Sequence, residues 1–122
     1  MSAKDLRKRS QPTAKSANQP RRVVIIAGPP VRALDVFGPA EVFTDANRMS
    51  GGKPIYEVEI VSATDDEIVA SHVGIPLLTH RSYRALRGPV DTLLVASSDD
   101  PISDIQRTFS IGWQNSAKKF VV

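Results

Sequence analysis

The decapeptide LDVFGPAEVF places a single carboxylate, Asp35, at the start of a helix-like stretch, with Gly38 and Pro39 one turn later. Free N–H groups and the helix dipole stabilise a carboxylate at a helix N-terminus. Asp35 is therefore a candidate site residue, but the residues alone favour a simple helix cap. Gly38 would let a backbone or ligand approach closely. Pro39 cannot donate to the Asp35 carbonyl, which predicts an irregular or kinked helix entrance.

A second candidate site is the pair Ser97 and Ser98, which follows an apolar run ending at Ala96. Their hydroxyls could act as a nucleophile or as oxyanion donors. However, no G-x-S-x-G elbow is present, and no spacing suggests a Ser-His-Asp triad. A turn that caps the next helix is favoured. The ligand-binding candidates are therefore Asp35, Gly38, Pro39, Ser97 and Ser98, and none is identified as catalytic.

Metal and cofactor chemistry receives little support from the composition. The chain has no cysteine, so it cannot form disulfides, thiolate metal sites or cysteine nucleophiles. Two histidines, His72 and His80, are too few for a metal cluster and are expected to be ordinary and partly buried. The AGPP segment from Ala27 has one glycine where phosphate-binding loops need several. We expect no metal and no cofactor.

Charge is unevenly distributed along the 122 residues. Residues 1–22 hold seven Lys and Arg against one Asp, a net charge of +6, so the remainder carries −3 of the overall +3. We expect residues 1–21 to be a disordered basic tail, either solvated, which is favoured, or touching nucleic acid nonspecifically. Residues 22–122 form the expected domain. No apolar run approaches a membrane span or a secretory signal, so we expect a cytoplasmic protein without membrane contact.

Alternating strand and helix patterns predict the architecture. Continuous β-branched runs are typical of buried parallel strands, and the alternating run from Ile55 is typical of a half-exposed one. Together they predict an α/β three-layer sandwich with a mainly parallel sheet, whose ligands bind at the carboxyl ends of the strands. The predicted strands are 22–27, 55–61, 68–71, 75–78, 91–96 and 118–122, and the predicted helices are near 34–49, 82–86 and 102–116.

Four segments, in this order, resemble the ThiJ/PfpI domain family, and most closely the N-terminal sensor half of AraC/XylS-type (GlxA-like) transcriptional regulators. The first is LDVFGPAEVF, which resembles the family's L-D-x-x-G-P-x-E-V-F signature. The others are YEVEIVS from Tyr56, SHVGIPL from Ser71 and PVDTLLVA from Pro89. The resemblance covers about residues 22–100. It implies a flavodoxin-like fold akin to class I glutamine amidotransferases.

The resemblance also implies half of an enzymatic site. In enzymatic members, an acidic residue matching Asp35 contacts a nucleophilic cysteine on an elbow expected just after the strand that Lys118 begins. This chain ends before that elbow, and Ser97-Ser98 replaces the family's paired glycines. We therefore expect a partial domain, incomplete at its C-terminus, that senses a small-molecule effector for an AraC-type regulator without catalysing a reaction. The alternatives are a remnant of an isocyanide-hydratase-like or amidase-like enzyme, and a standalone ligand-binding module.

The resemblance and the incomplete sheet also lead to expectations about binding partners. No helix-turn-helix follows, so this chain alone is not expected to bind DNA specifically. An incomplete parallel sheet would leave an unpaired edge and an open apolar face, which predicts a homo-oligomer or an aggregation-prone chain.

Overall fold

A computed structural model describes residues 18–96 and 118–121 of the chain. The strands are β1 Arg21–Ala27, β2 Tyr56–Ser62, β3 Ile68–Ala70, β4 Pro76–Leu78, β5 Arg81–Ser82, β6 Thr92–Ala96 and β7 Lys118–Val121, with helix α1 at Ala33–Met49 and a 3₁₀ turn at Tyr83–Ala85. Five strands form one sheet in the order β5-β2-β1-β6-β7, and every neighbouring pair in it is parallel. The predicted α/β fold with a mainly parallel sheet is confirmed.

Strand β1 is the centre of the sheet. It pairs with β2 on one side and β6 on the other, so Ile25 lies between Ile60 and Leu94. Its residues from Val23 to Ala27 are fully buried. Burial on both faces is what a continuous β-branched run indicates, because a parallel sheet is covered on both sides. Alternate β1 residues contribute to two separate apolar clusters, one on each face.

Helix α1 covers the first of these faces. Val36, Ala40 and Phe43 recur at helical spacing and belong to the cluster of Ile25, and the Phe43 ring meets the Tyr56 ring edge-on at 4.8 Å. Phe37 is also apolar, but it is 42% exposed. Its position lies a quarter turn from Val36, so it stays at the margin of the contact.

The end of α1 is tied to the start of β2 by Asn47. Its side-chain amide donates to the Tyr56 carbonyl, and its oxygen accepts from the N–H groups of Ile55 and Tyr56 at 2.8–2.9 Å. The helix ends at the predicted Ser50-Gly51, where Gly51 has a φ of +78° that favours glycine.

Strand β2 departs from the prediction at one residue. Its apolar–polar alternation predicts that Glu59 faces solvent, but Glu59 is only 6% exposed. Glu59 Oε2 accepts from Arg22 Nη2 at 2.8 Å, and Oε1 pairs with the Arg81 guanidinium without a well-directed hydrogen bond. Two cations compensate one buried carboxylate, and alternation within one strand cannot reveal partners on β1 and β5.

Arg22 also fixes the loop that leads into β6. Its guanidinium donates to the Arg87 carbonyl, and its backbone N–H donates to Asp91 Oδ2 at 2.7 Å. In turn, the Asp91 N–H donates a hydrogen bond to the Arg22 carbonyl at 2.9 Å. Leu86 and Val90 in this loop pack on the second face of the sheet. The face opposite α1 is therefore covered, in the described part of the chain, by the segment around residues 83–90.

Strands β3 and β4 form an antiparallel hairpin beside the main sheet. A turn at Val73-Gly74 joins them, in which Gly74 has a φ of +84° and its N–H donates to the Ser71 carbonyl at 3.0 Å. The predicted brief helix near residues 82–86 is the 3₁₀ turn. Strand β5 was not predicted, since two residues carry no readable alternation.

Two predictions fall outside the described residues: the helix near 102–116 and most of the basic tail. Within residues 18–96 and 118–121, no helix combines the length and the apolar character needed to cross a membrane.

Candidate functional site

Three strand ends meet at one edge of the sheet. The Gly28 N–H donates to the Ala96 carbonyl, and the Ala63 N–H donates to the Ala27 carbonyl, both at 2.9 Å. The chain runs from β1 to β2 on one side of β1, and then crosses to β6 on the other side. The strand order therefore reverses between β1 and β6, and in open α/β sheets ligands bind at such a switch point.

The start of α1 lies directly after this edge. Arg32 is the N-cap residue, and its side chain makes no capping bond. The Asp35 N–H donates to the Arg32 carbonyl at 3.0 Å, and the Asp35 side chain is half-buried in the first turn. The interpretation of Asp35 as the cap is therefore wrong, because the helix begins two residues earlier, at Ala33. Its carboxylate is left available to the dipole or to a ligand.

The Gly38-Pro39 pair does not interrupt the helix. Helix α1 runs from Ala33 through Pro39 to Met49, so the predicted irregular entrance is wrong, whereas the alternative of a kink at Pro39 stays a prediction. The loss of one bond to the Asp35 carbonyl is offset by the apolar contacts that hold α1 on the sheet. A Cβ atom at Gly38 would meet no atom within 4 Å. Thus no neighbouring backbone in the described structure needs Gly38 to be small.

The hairpin brings a residue to the site that sequence reasoning did not single out. Ser71 bridges to Val31, with the Val31 N–H donating to the Ala70 carbonyl and the His72 N–H to the Val31 carbonyl, at 3.1 and 2.8 Å. Ser71 is 5% exposed, and its Oγ has no hydrogen-bond partner in the part of the chain that the structure describes. The family-like segment from Ser71 indicated only a turn and a strand, so no local signal marked the hydroxyl.

The remaining predicted residues are distributed as follows. Ser97 and Ser98 lie outside the described residues, directly after the end of β6 at Ala96. Both histidines are exposed, so the expectation that they are partly buried is wrong. His80 Nδ1 accepts from the Ile60 N–H at 3.0 Å, which gives it a structural role at β2. Among the described residues, Ser71 is bridged to Val31, and Asp35 lies in the first turn of the helix that follows Val31.

Electrostatics add little chemistry elsewhere in the described part of the chain. The hydrogen bond that the Arg84 guanidinium donates to Asp65, and then the charge of that carboxylate, raise the pKa of Arg84, but both side chains are exposed. Within residues 18–96 and 118–121, no three His, Asp or Glu side chains are grouped as metal ligands would be.

Exposed apolar side chains lie on the two segments that form the site, the start of α1 and the hairpin turn after Ser71. Leu34 lies on the first turn of α1, and Val73 and Ile75 lie beyond Ser71 in the hairpin turn. The Val31–Ser71 bridge joins these two segments. On the outer side of the hairpin, Ile68 and Leu78 are register partners, and both are more than half exposed.

A parallel sheet with the β2-β1-β6-β7 order, a helix after β1 and a hairpin bridged to the loop between β1 and that helix define an α/β fold. Comparison with solved structures confirms this fold. An AraC family transcriptional regulator from Pseudomonas putida matches with a TM-score of 0.54 and 17% identity, over 76% of this chain and 61% of that one. A ThiJ/PfpI family protein from Pseudomonas syringae matches with a TM-score of 0.53 and 16% identity, over 87% and 44%.

At the level of sequence, an uncharacterised protein in the 5′ region of cpoL in Streptomyces lividans is 39% identical over 80 residues. The match covers 66% of this chain and 53% of that relative. No protein-family model matches the chain. The chain thus spans about half the length of the curated relative it matches.

Proposed function

We propose that this chain is the ligand-sensing ThiJ/PfpI-like domain of an AraC-type transcriptional regulator, and that it binds a small-molecule effector at the carboxyl edge of the sheet. The observation that carries the proposal is the half-buried Asp35 carboxylate on an uncapped helix start, beside the strand-order reversal. The fold shared with an AraC family regulator supports the regulatory role.

In this proposal the domain binds its effector without covalent chemistry. The chain has no cysteine, so it lacks the thiol that the ThiJ/PfpI resemblance places opposite the acidic residue. A carboxylate on its own can still orient a ligand, because it accepts hydrogen bonds from N–H and O–H donors. Specific DNA recognition would belong to another part of the regulator.

The test is a panel of small carboxamides, carboxylates, amines and polyols, measured by thermal shift and calorimetry on the 122-residue chain. We expect a compound that binds the wild-type chain to lose about tenfold in affinity, or about 1.4 kcal/mol, in Asp35→Asn. The same compound, followed by NMR for hours, should yield no product.

The matched control is Asp45→Asn, which alters an exposed carboxylate on the same helix that pairs only with Arg48. It should keep wild-type affinity. Equal affinities in Asp35→Asn and wild type would contradict the binding proposal. Product formation that Asp35→Asn abolishes would contradict the noncatalytic one.

We also propose that two copies of the chain associate through the apolar side chains that flank the site. Leu34 is 83% exposed and Val73 is 70% exposed, which is unusual for large apolar residues on adjoining segments. Light scattering should give twice the 13.3 kDa chain mass for the wild type and a smaller mass for Leu34→Glu. Met49→Glu, at an equally exposed position at the other end of α1, should not change it. Dissociation by both variants, or by neither, would refute this interface.

A further inference from the structure

The Ser71 hydroxyl is buried without a hydrogen-bond partner among the described residues. Ser71 is 5% exposed, and its Oγ neither donates to nor accepts from any group in residues 18–96 and 118–121. A buried hydroxyl without a partner disfavours folding, and native proteins rarely keep one without a reason. Other buried hydroxyls on the same segment are satisfied, since Thr79 Oγ1 donates to the Glu67 carbonyl at 2.7 Å and Ser82 Oγ to the Thr64 carbonyl.

The hydroxyl points towards the start of helix α1. Side chains of residues paired across a bridge lie on the same face, and side chains alternate along a strand. Ser71 is paired with Val31, and it follows Val69 by two residues. Val31 and Val69 both pack in the cluster that contains Val36 of the first helical turn. The Ser71 Oγ therefore lies on the helix side of the hairpin, next to an N-terminus that no side chain caps.

We infer that Ser71 is an effector-binding residue whose hydroxyl donates to the carbonyl oxygen of a small neutral carboxamide, while Asp35 accepts from its N–H group. This inference rests on the proposed effector site at the carboxyl edge. The Ser71 hydroxyl and the N–H groups of the uncapped first turn supply donors. The Asp35 carboxylate supplies only acceptors. A carboxamide offers the complementary acceptor and donor, which are the oxygen and the nitrogen bonded to its carbonyl carbon.

Other small polar groups fit the same residues less well. A carboxylate carries no donor and is repelled by Asp35. An ammonium group carries no acceptor for the Ser71 hydroxyl or the helix N–H groups. The charged group at the helix start, Arg32, and the titratable group after Ser71, His72, are both exposed, so solvent screens them.

The experiment titrates the ¹⁵N-labelled 122-residue chain with propionamide, propionate and propylammonium, which have similar size and different charge. We expect propionamide alone to shift the amide resonances of residues 31–35 and of His72. Ser71→Ala should weaken propionamide binding about tenfold. It should leave the thermal midpoint unchanged or higher, because it removes a hydroxyl that has no partner.

Thr79→Val is the matched control on the same hairpin. It removes a satisfied buried hydroxyl, so it should lower the thermal midpoint and keep the propionamide affinity. Unchanged affinity in Ser71→Ala would overturn the inference, as would a drop in its thermal midpoint as large as that of Thr79→Val.

The two proposals fail in different ways. If propionamide does not bind but another compound does so in an Asp35-dependent manner, the assignment of Ser71 to a carboxamide is wrong and the effector site stands. If no compound of the panel or the probe set binds in an Asp35-dependent manner, both the effector site and the role of Ser71 are refuted.

Discussion

Replacing Glu59 with alanine is expected to lower the free energy of unfolding by about 3–5 kcal/mol, a large part of the stability of a domain this size. The carboxylate is 6% exposed and lies between the guanidinium groups of Arg22 and Arg81. Removing it leaves the largely buried Arg22 guanidinium without its counter-charge, whereas the Arg81 side chain is 44% exposed and is screened by solvent. Urea unfolding, followed by circular dichroism, measures the change.

Two variants separate charge from packing. Glu59→Gln keeps the shape of the side chain. It should lower the free energy of unfolding by most of the amount expected for Glu59→Ala, because the neutral amide cannot compensate the charges of Arg22 and Arg81. Asp45→Ala removes one partner of an exposed ion pair with Arg48, and it should change stability by less than about 0.5 kcal/mol. If Glu59→Ala and Asp45→Ala lowered the free energy of unfolding by similar amounts, the buried ion pairs of Glu59 would contribute no more to stability than the exposed pair of Asp45 and Arg48.

Replacing Ile25 with alanine is expected to cost about 2–5 kcal/mol of unfolding free energy. Ile25 is fully buried in the central strand, between Ile60 of β2 and Leu94 of β6, and it packs in the cluster beneath α1. The substitution loses the transfer free energy of the removed methyl and methylene groups and leaves a cavity. A lower urea midpoint with an unchanged m-value would report this loss.

The matched control for Ile25 is Ile68→Ala. Ile68 is 55% exposed on the hairpin, so its truncation should change the free energy of unfolding by less than about 0.5 kcal/mol. If Ile25→Ala were as mild as Ile68→Ala, β1 would not be the centre of the folded core.

The proposals assign the site to ligand binding and not to catalysis. Asp35 occupies the position that the ThiJ/PfpI resemblance assigns to an acidic partner of a thiol, and this chain has no thiol. Under the proposals, the carboxylate acts as a hydrogen-bond acceptor for a polar ligand, and the start of α1 and Ser71 supply donors.

Much of the fold could be predicted because its signals are local. The β-branched run that becomes β1, the helical spacing of Val36, Ala40 and Phe43, and the turn at Gly74 each depend on residues close together in sequence. All six predicted strands match observed ones to within one residue at each end. The helix 34–49 also matches, because burial on a sheet enforces the same periodicities that the sequence displays.

The candidate site was only partly predictable. Asp35 was recognised, and the structure places it at the edge where ligands of such sheets bind. Ser71 was not recognised, because its significance depends on a bridge to Val31, forty residues earlier in the chain. Ser97 and Ser98 stay predictions, since they lie outside the described residues.

The sequence by itself determined the α/β class, the position of the central strand and of α1, and the absence of any cysteine from the chain. Only the tertiary structure decided that α1 starts at Ala33, that Pro39 lies inside it, that Glu59 is buried between Arg22 and Arg81, and that Ser71 is bridged to Val31. The reason is physical. Periodicity reports which face of an element is apolar, whereas ion pairs, bridges and unpartnered hydroxyls depend on segments that meet only when the sheet assembles.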